Sequence, residues 1–325
     1  MADNSRPQDD STKSGPVRIF LALQRNIMNS LLPFFSVTML VLTTSSLANP
    51  LPADEASRDS AQALPPEVRD RCLAILRSGL QSSEFWPSMH AAEALTQAGS
   101  GAEVIEHLKG LLPTEKDDQR RCGLARELVR AGDKSYLPVL FEVLADESSK
   151  GRGHAAESLF KLRETGDGKL LRAAMNQTEV VPLRIMAAGA LAQAGDAEAI
   201  SLLRGELKTE NTTARNLSAW VLGRYGDASD QPALLAAMKV EADEMSHTFL
   251  ALSLACLNNA DGRAALIKHL DSPNNTARSM ATEFIGISRT YEAHSRVIEL
   301  LDDPFLDVQI RAGHALITLS QAAAK

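Results

Sequence analysis

Two segments of the sequence pair a histidine with a glutamate three residues later. The first is His90 to Leu95, with the sequence HAAEAL, and the second is His154 to Leu159, with the sequence HAAESL. Residues three apart lie on one face of a helix, so each pair could supply half of a metal site. The alternative is that the two segments are copies of one structural repeat. The elements that carry them decide between these interpretations.

Other motifs that carry chemistry are missing from the sequence. It contains no G-x-S-x-G, no H-E-x-x-H and no P-loop. Cys72, Cys122 and Cys256 are far apart and form no CxxC, which favours buried free thiols over a zinc site or a disulfide framework. We therefore predict no catalytic residue, no metal ligand and no bound cofactor.

From Phe85 onward the sequence repeats with a period of about 31 residues. The phrases LARELVRAGD, AAGALAQAGD and AWVLGRYGD end at Asp133, Asp196 and Asp227, and a looser copy ends at Asp167. A second amphipathic run follows most copies, so each repeat consists of two short helices. The composition agrees, because 44% of the 325 residues are hydrophobic while only 4% are aromatic, which suits closely packed helices.

Glycine and aspartate separate the two helices of a repeat. Gly132, Gly166, Gly195 and Gly226 fall where a helix must end in a left-handed residue, and the aspartate after each glycine is a good N-cap. A pair of short helices cannot bury its apolar face alone, so the repeats must stack. We predict an all-α, right-handed α-solenoid over residues 67–325, with about seven and a half two-helix repeats. Residues 306–325 form the half repeat, and a helix over 67–80 caps the N-terminal end.

The A..AL...GD pattern resembles the HEAT-like repeats named after phycobilisome lyases, within the HEAT and armadillo group. The resemblance covers about 240 residues and implies an armadillo-type fold rather than one activity. Some proteins of this kind are enzymes, and the deoxyhypusine hydroxylases use His-Glu dipeptides as metal ligands. No histidine here is followed by glutamate, so those ligands have no counterpart. An enzyme of lyase type, or a metal-dependent one with a site assembled across repeats, remains the alternative to a non-catalytic scaffold.

Aligning the repeats explains the two histidine segments. The place of His90 is otherwise held by Gly123, His154, Met186, Leu217, Phe249, Met280 and Arg311. The place of Glu93 is held by Arg126, Glu157, Gly189, Trp220, Leu252, Glu283 and His314. Most residues at the position of His90 are of types that pack in a core. The residues at the position of Glu93 share no chemical property. We therefore interpret HAAEAL as a copy of the repeat and not as half of a metal site.

An arginine recurs near the start of the first helix in five repeats. These residues are Arg121, Arg152, Arg184, Arg215 and Arg278, and other repeats place Ser88, His247 and Gln309 there. Polar residues at a fixed repeat position resemble the inter-repeat ladders of HEAT proteins. We predict that they satisfy helix ends rather than bind a ligand.

The first 66 residues differ from the repeats. A polar segment with four basic residues precedes a 12-residue apolar run from Leu31 to Leu42, which is shorter than the ~20 residues of a membrane helix. We predict a signal peptide over 1–48, cleaved after Ala48, with an uncleaved membrane anchor over 27–48 as the alternative. Residues 49–66 read as a flexible linker. The protein is then exported, either periplasmic or extracellular, or membrane-anchored.

The net charge of -7 argues against a nucleic acid as partner. We expect the second helices to line the concave side of the solenoid and their mixed charges to bind a protein or peptide. Trp86, Trp220 and Tyr225 are either anchors for such a partner or, more in keeping with their positions, buried between repeats. The candidate partner-binding residues are Glu106, Lys109, Glu142, Arg172, Arg204, Glu206, Lys239, Lys268, His269, Arg296 and Glu299.

Overall fold

The computed structural model describes residues 63–323, so the predicted signal peptide and most of the predicted linker lie outside the described residues. Within this range the chain is all-helical, which confirms the predicted fold class. The helices are α1 Pro66–Leu80, α2 Phe85–Gln97, α3 Gly101–Leu108, α4 Asp118–Arg130, α5 Leu137–Ala145, α6 Arg152–Leu162, α7 Lys169–Asn176, α8 Val181–Gln193, α9 Ala197–Glu206, α10 Thr212–Tyr225, α11 Gln231–Val240, α12 Glu244–Cys256, α13 Ala260–His269, α14 Asn275–Ser288, α15 His294–Glu299 and α16 Leu306–Ala323. None of these combines the length and the apolar character needed to cross a bilayer.

At most of the predicted positions, a glycine ends one helix and an aspartate caps the next. Gly132 and Gly195 have φ angles of 118° and 91°, a region that residues with a Cβ rarely adopt. Asp196 then caps α9 by accepting a hydrogen bond from the backbone N–H of Ala199 at 2.9 Å. Gly226 differs from the prediction, with a φ of -80°, because α10 ends directly at Tyr225 and the chain turns through a capping box between Asp227 and Asp230.

The even-numbered helices form an inner layer in which each helix packs on the next. Neighbouring inner helices run parallel, because residues near their N-termini meet: Asn216 of α10 donates to Ser246 of α12 at 3.1 Å, and Ser279 of α14 donates to Asp307 of α16 at 2.5 Å. The odd-numbered helices lie outside; each packs on the inner helix that follows it, and α1, α3, α5, α9 and α13 also pack on the preceding inner helix. The solenoid therefore has a continuous inner wall of first helices.

This inner wall closes on itself. The last helix, α16, packs on α2 as well as on α14, and α1 packs on both α16 and α2. The helix that the sequence predicts as an N-terminal cap therefore also fills the outer position of the C-terminal half repeat. Small residues allow the close approach: a Cβ on Gly79 of α1 would lie 2.6 Å from Ile310, and one on Gly313 of α16 would lie 3.6 Å from Cys72. The residues between 66 and 323 thus form a closed ring of eight helix pairs.

The core lies between the two layers and is built mainly from Ala and Leu. Glycines on the inner helices allow neighbouring inner helices to approach closely. A Cβ on Gly223 of α10 would lie 2.6 Å from the backbone of Ser253 on α12, and one on Gly286 of α14 would lie 2.9 Å from the backbone of Ala315 on α16. Cys72, Cys122 and Cys256 are buried free thiols, as predicted, and burial raises the pKa of Cys72 to about 11.

Candidate functional site

The predicted partner-binding residues lie on the outer helices or just after their ends. Because the first helices form the closed inner wall, the expectation that second helices line the concave side is wrong. The first helices carry Gly123, Gly189, Gly223 and Gly286, and a Cβ at each would lie 2.6–3.1 Å from an atom of a neighbouring inner helix, so these glycines allow the close packing of the inner wall. The candidate surface is therefore on the outside of the ring.

Most charged members of that surface are held in ion pairs within the chain. Arg172 pairs with Asp196 and with Glu198, Arg204 pairs with Asp230 at 2.7 Å, and Arg296 pairs with Asp271 at 2.8 Å. These pairs connect neighbouring outer segments. Exposed pairs of this kind contribute on the order of 0–1 kcal/mol each, so they orient side chains more than they stabilise the fold.

The remaining predicted residues are also partly engaged. Lys109 binds Glu106 at 2.5 Å, Arg296 also binds Glu299 at 2.8 Å, and Glu206 accepts an ion pair from Arg184 at 2.8 Å. His269 contacts the ring of His247, with 2.9 Å between nitrogens. Glu142, Lys239 and Lys268 are exposed and make no side-chain ion pair within the described residues. The last two lie at the C-terminal ends of their helices.

Three of the five recurring arginines near the start of the inner helices bond to backbone carbonyls as predicted, whereas Arg121 binds Asp118 and Arg184 binds Glu206. Arg152 donates to the carbonyl of Leu144 at the end of α5, and Arg215 donates to the carbonyl of Thr209 behind α9. Arg278 donates to the carbonyl of Ser272 at 2.5 Å and pairs with Asp303 of the next repeat at 2.6 Å. Arg152, Arg215 and Arg278 thus satisfy carbonyls at or after the ends of outer helices, and all five arginines are engaged within the chain.

We call the segments that lead from each outer helix to the next inner helix the N-terminal rim. They are residues 81–84, 109–117, 146–151, 177–180, 207–211, 241–243, 270–274 and 300–305. Leu111, Val180 and Phe305 lie in these segments, and Trp86 and Val240 lie one or two residues outside them; all five are exposed large apolar residues. Of the residues in that class, only Leu170 lies at the opposite rim. The apolar exposure of the described residues is therefore concentrated on one side of the ring.

The N-terminal rim is also acidic, with twelve aspartates and glutamates against four lysines in its segments. Some of the acids are neutralised within the chain, such as Asp303 by Arg278 and Glu241 by Arg215. Others, including Glu84 and Glu179, have no ion pair among the described residues. Exposed apolar side chains surrounded by acidic residues are suited to bind a partner that presents basic and apolar groups.

The interior of the ring is highly charged. Nine charged side chains of the inner helices lie in the ring interior or are buried next to it: Glu93, Arg126, Glu127, Arg130, Glu157, Lys161, Arg224, Glu283 and Arg311. Most are paired across or along helices. Arg130 of α4 binds Glu93 of α2 at 3.1 Å, Lys161 binds Glu157 at 2.8 Å, and Arg311 of α16 binds Glu283 of α14.

These pairs keep the carboxylates ionised. Burial opposes ionisation of Glu157, but the charges of Lys161 and Arg126 outweigh it and lower the pKa of Glu157 to about 2. Burial likewise opposes the charge on Glu93, and Arg130 with Lys161 holds the pKa of Glu93 well below its usual range. Glu93 and Glu157 are thus charged members of a salt-bridged network, and their pKa values lie far below pH 7.

A cavity of about 150 Å³ opens into this network. It is lined by Glu93, Gln97, Arg130, Lys161, Arg224, Glu283, Gly286, Ile287, His314, Ala315 and Thr318, from six of the eight inner helices. Glu93, Arg130, Lys161 and Glu283 keep between 17% and 25% of their side-chain surface exposed. Solvent therefore reaches the cavity, and so can a small solute.

Sequence reasoning missed this interior. The repeat position of Glu93 had no common chemistry, and its significance appears only when the ring brings opposite helices together. The signal that was available is the recurrence of charged residues three or four positions apart on the first helices, as in Glu93 with Gln97, Arg126 with Arg130, and Glu157 with Lys161. In an open solenoid these would face solvent, and nothing in the period shows that the ends meet.

The two histidines of the opening motif have separate surroundings. His90 lies at the seam between α2 and α16, where Asp307 binds its Nδ1 at 2.6 Å and Arg311 approaches its Nε2 at 2.9 Å. His154 stacks on Trp86 with 5.4 Å between ring centroids. Trp220 is buried against Phe160, and Tyr225 is half-buried. His90 therefore serves hydrogen bonding between the neighbouring inner helices α2 and α16, and His154 of α6 packs on a residue of α2, two inner helices away.

Comparison with known proteins identifies one stretch of the repeats. A family model described as HEAT repeats matches residues 179–253, which covers α8 to most of α12. No curated protein matches the chain in sequence. The chain is similar to the structure of human deoxyhypusine hydroxylase in complex with glycerol, at 21% identity and a TM-score of 0.39, over 73% of this chain and 95% of that one. It is also similar to the complex of CpcE and CpcF of phycocyanin lyase from Nostoc sp. PCC7120, at 16% identity and a TM-score of 0.41, over 81% and 97% of the two chains.

Proposed function

We propose that this chain, whose residues 179–253 match a family model of HEAT repeats, is an exported or envelope-associated, non-catalytic scaffold that binds another protein through its repeat surface. HEAT repeats commonly mediate protein interactions, and this ring offers a long, solvent-facing surface built from eight similar units. The observation that carries the proposal is the concentration of exposed apolar side chains at the N-terminal rim.

The rim and the adjacent ends of the outer helices form one continuous surface. Lys239 precedes the exposed Val240, and Lys268 with His269 lies directly before the rim segment that starts at Leu270. Lys239 therefore borders an exposed apolar residue, and Lys268 with His269 borders a rim segment, whereas Arg172 and Arg204 are held in ion pairs. The partner is therefore expected to contact the rim first, with basic and apolar side chains of its own.

The binding proposal can be tested with matched charge substitutions on opposite rims. Val240→Asp with Phe305→Asp places two carboxylates on the N-terminal rim, and Leu170→Asp places one on the other rim at a residue of similar exposure to Phe305, 38% against 45%. Tagged full-length chains are expressed in the native host, cross-linked and recovered, and partners are quantified by mass spectrometry.

We expect a partner that is recovered with the native chain and with Leu170→Asp, and that is lost with the double substitution. Equal recovery from all three chains would place binding elsewhere. A chain that turns over a substrate, and loses that activity when one residue is changed, would contradict the non-catalytic part of the proposal.

Export is tested independently by fractionation and by the mass of the native protein. Cleavage after Ala48 leaves Asn49 as the first residue of the mature chain. An intact chain in the membrane fraction would support the anchor alternative, and an intact chain in the cytosol would exclude export.

A further inference from the structure

Arg224 of α10 is the one cation of the described ring interior without a carboxylate partner. Arg126, Arg130, Lys161 and Arg311 each bind a glutamate within 4 Å. Arg224 instead lies against two aromatic rings, 5.1 Å from the centroid of Trp220 and 6.0 Å from that of Phe160. Its Nε is buried and has no hydrogen-bond partner. A partly buried guanidinium that lacks a counter-ion is costly in a folded protein.

The side chain of Arg224 also lines the 150 Å³ cavity. Opposite it, the wall is made by α2, α14 and α16, with Gln97, His314 and Thr318 as polar groups and Ile287 and Ala315 as apolar ones. Gln97 already binds His314 at 2.6 Å and Thr318 at 2.9 Å, so these three residues form a fixed polar wall. The cavity thus combines one unpaired cation, a preorganised polar wall and a small apolar floor.

We propose that the ring interior binds a small carboxylic acid, whose carboxylate pairs with Arg224. The two oxygens of a carboxylate match the parallel N–H groups of a guanidinium, which a chloride ion cannot do. The charge also fits, because the neighbouring cations already have partners and only one negative charge remains to be supplied.

The volume limits the size of the ligand. A water molecule takes about 30 Å³ of liquid, so the cavity has room for about five waters, or for an acid of about four to six non-hydrogen atoms. The aliphatic part of such an acid would lie against Ile287 and Ala315. Butyrate is therefore a better candidate than formate, which leaves the apolar floor uncovered, or than a phosphate dianion, which brings one charge too many.

The experiment titrates the full-length chain with formate, butyrate, succinate and inorganic phosphate at constant ionic strength set with sodium chloride. Trp86→Phe leaves Trp220 as the only tryptophan, so its fluorescence reports the contact with Arg224. We expect a saturable fluorescence change with butyrate and little change with phosphate. Arg224→Met should weaken butyrate binding at least tenfold, whereas Arg69→Met, at an exposed residue on the outer helix α1, should leave it unchanged.

Circular dichroism and the melting temperature establish that each variant is folded. If Arg224→Met does not fold, Arg224→Lys replaces it, because it keeps the charge and loses the forked geometry; it should bind butyrate several-fold more weakly. The proposal is overturned if the parent shows no saturable change, if phosphate or added chloride reproduces the change, or if an Arg224 variant binds butyrate as tightly as the parent.

Discussion

His90 lies in a chain of hydrogen bonds that crosses the seam of the ring. Ser279 and His90 both bind the carboxylate of Asp307, and Arg311 approaches the other ring nitrogen of His90. Burial, with the nearby charge of Arg311, lowers the pKa of His90 to about 4 despite the opposing effect of Asp307. The imidazole is therefore neutral at pH 7, with Nδ1–H donating to Asp307 and Nε2 accepting from Arg311.

Acid should weaken the fold through this residue. Between about pH 6.5 and pH 4 the unfolded chain binds a proton at His90 that the folded chain does not, so the free energy of unfolding falls as the pH falls through this window. The loss attributable to His90 is up to about 3 kcal/mol at pH 4 relative to pH 7. Urea denaturation at several pH values measures it.

His90→Gln provides the control, because glutamine can hydrogen-bond to Asp307 but does not titrate. The variant should be less stable at pH 7 and should show a shallower decline between pH 6.5 and pH 4. Other histidines with lowered pKa values, including His154 and His314, contribute the decline that remains. An unchanged pH profile would show that His90 is not the group that titrates.

Paired and unpaired charges of the ring interior should respond in opposite directions to neutralisation. Glu127 is fully buried and binds both Arg126 and Arg130. Glu127→Gln leaves Arg126 without its ion-pair partner and Arg130 with Glu93 alone, so it should lower the free energy of unfolding by about 3 kcal/mol or more. Arg224→Met removes a cation that has no partner and places an apolar chain against Trp220 and Phe160. It should be neutral or stabilising in thermal denaturation without ligand; a loss as large as that of Glu127→Gln would reveal an unrecognised partner.

At the scale of the elements, local signals in the sequence account for most of the helices. Gly132 and Gly195 stop helices, and Asp196 and Asn211 start them, because each of these residues acts on the two or three residues beside it. Such local signals do not predict which helices face the ring interior. That orientation depends on which helices approach closely, and that is set by contacts between residues about 30 positions apart, such as Gly223 with Ser253.

The close approach of α10 and α12 gives a direct test of inner-wall packing. Gly223→Ala adds a methyl group that would lie 2.6 Å from the Cα of Ser253, so one helix must shift. Alanine favours a helix by about 1 kcal/mol over glycine, yet the overlap should outweigh this and destabilise the protein by about 1–3 kcal/mol. Gly205→Ala, in the outer helix α9 with open space around it, is the matched control and should be stabilising. Equal effects of the two substitutions would show that the inner wall is loosely packed.

At the scale of the whole molecule, closure is the feature that no single repeat reveals. The period predicts identical neighbours, and the repeats predict an open solenoid with two ends. The contacts that join the ends involve residues more than 200 positions apart, such as His90 with Asp307 and Gln97 with Thr318. The predicted half repeat at 306–325 lies where the ring closes, because α1 packs on α16 in the position of an outer helix.

A closed ring should tolerate new chain ends. Helix α1 runs antiparallel to α16, with Cys72 near Gly313 and Gly79 near Ile310, so the start of α1 lies near the end of α16. A circular permutant that joins residue 320 to residue 64 through a short glycine-serine linker, and opens between Glu147 and Ser148, should fold with the native helix content and one cooperative transition. A chain that ends at residue 305 is the comparison. It exposes α1, α2 and α14 together and should lose far more stability than one terminal half repeat of an open solenoid would cost.

Closure also fixes how many repeats the molecule can have. An open solenoid can gain or lose a unit at either end with little effect on the others, and its concave surface simply lengthens. Here a ninth helix pair would hold α1 and α16 apart and break the hydrogen bonds of His90 and Gln97. It would also change the distances between opposite inner helices across the interior. The curvature of each unit and the number of units must therefore match, so a substitution that alters the angle between two inner helices is felt on the far side of the ring.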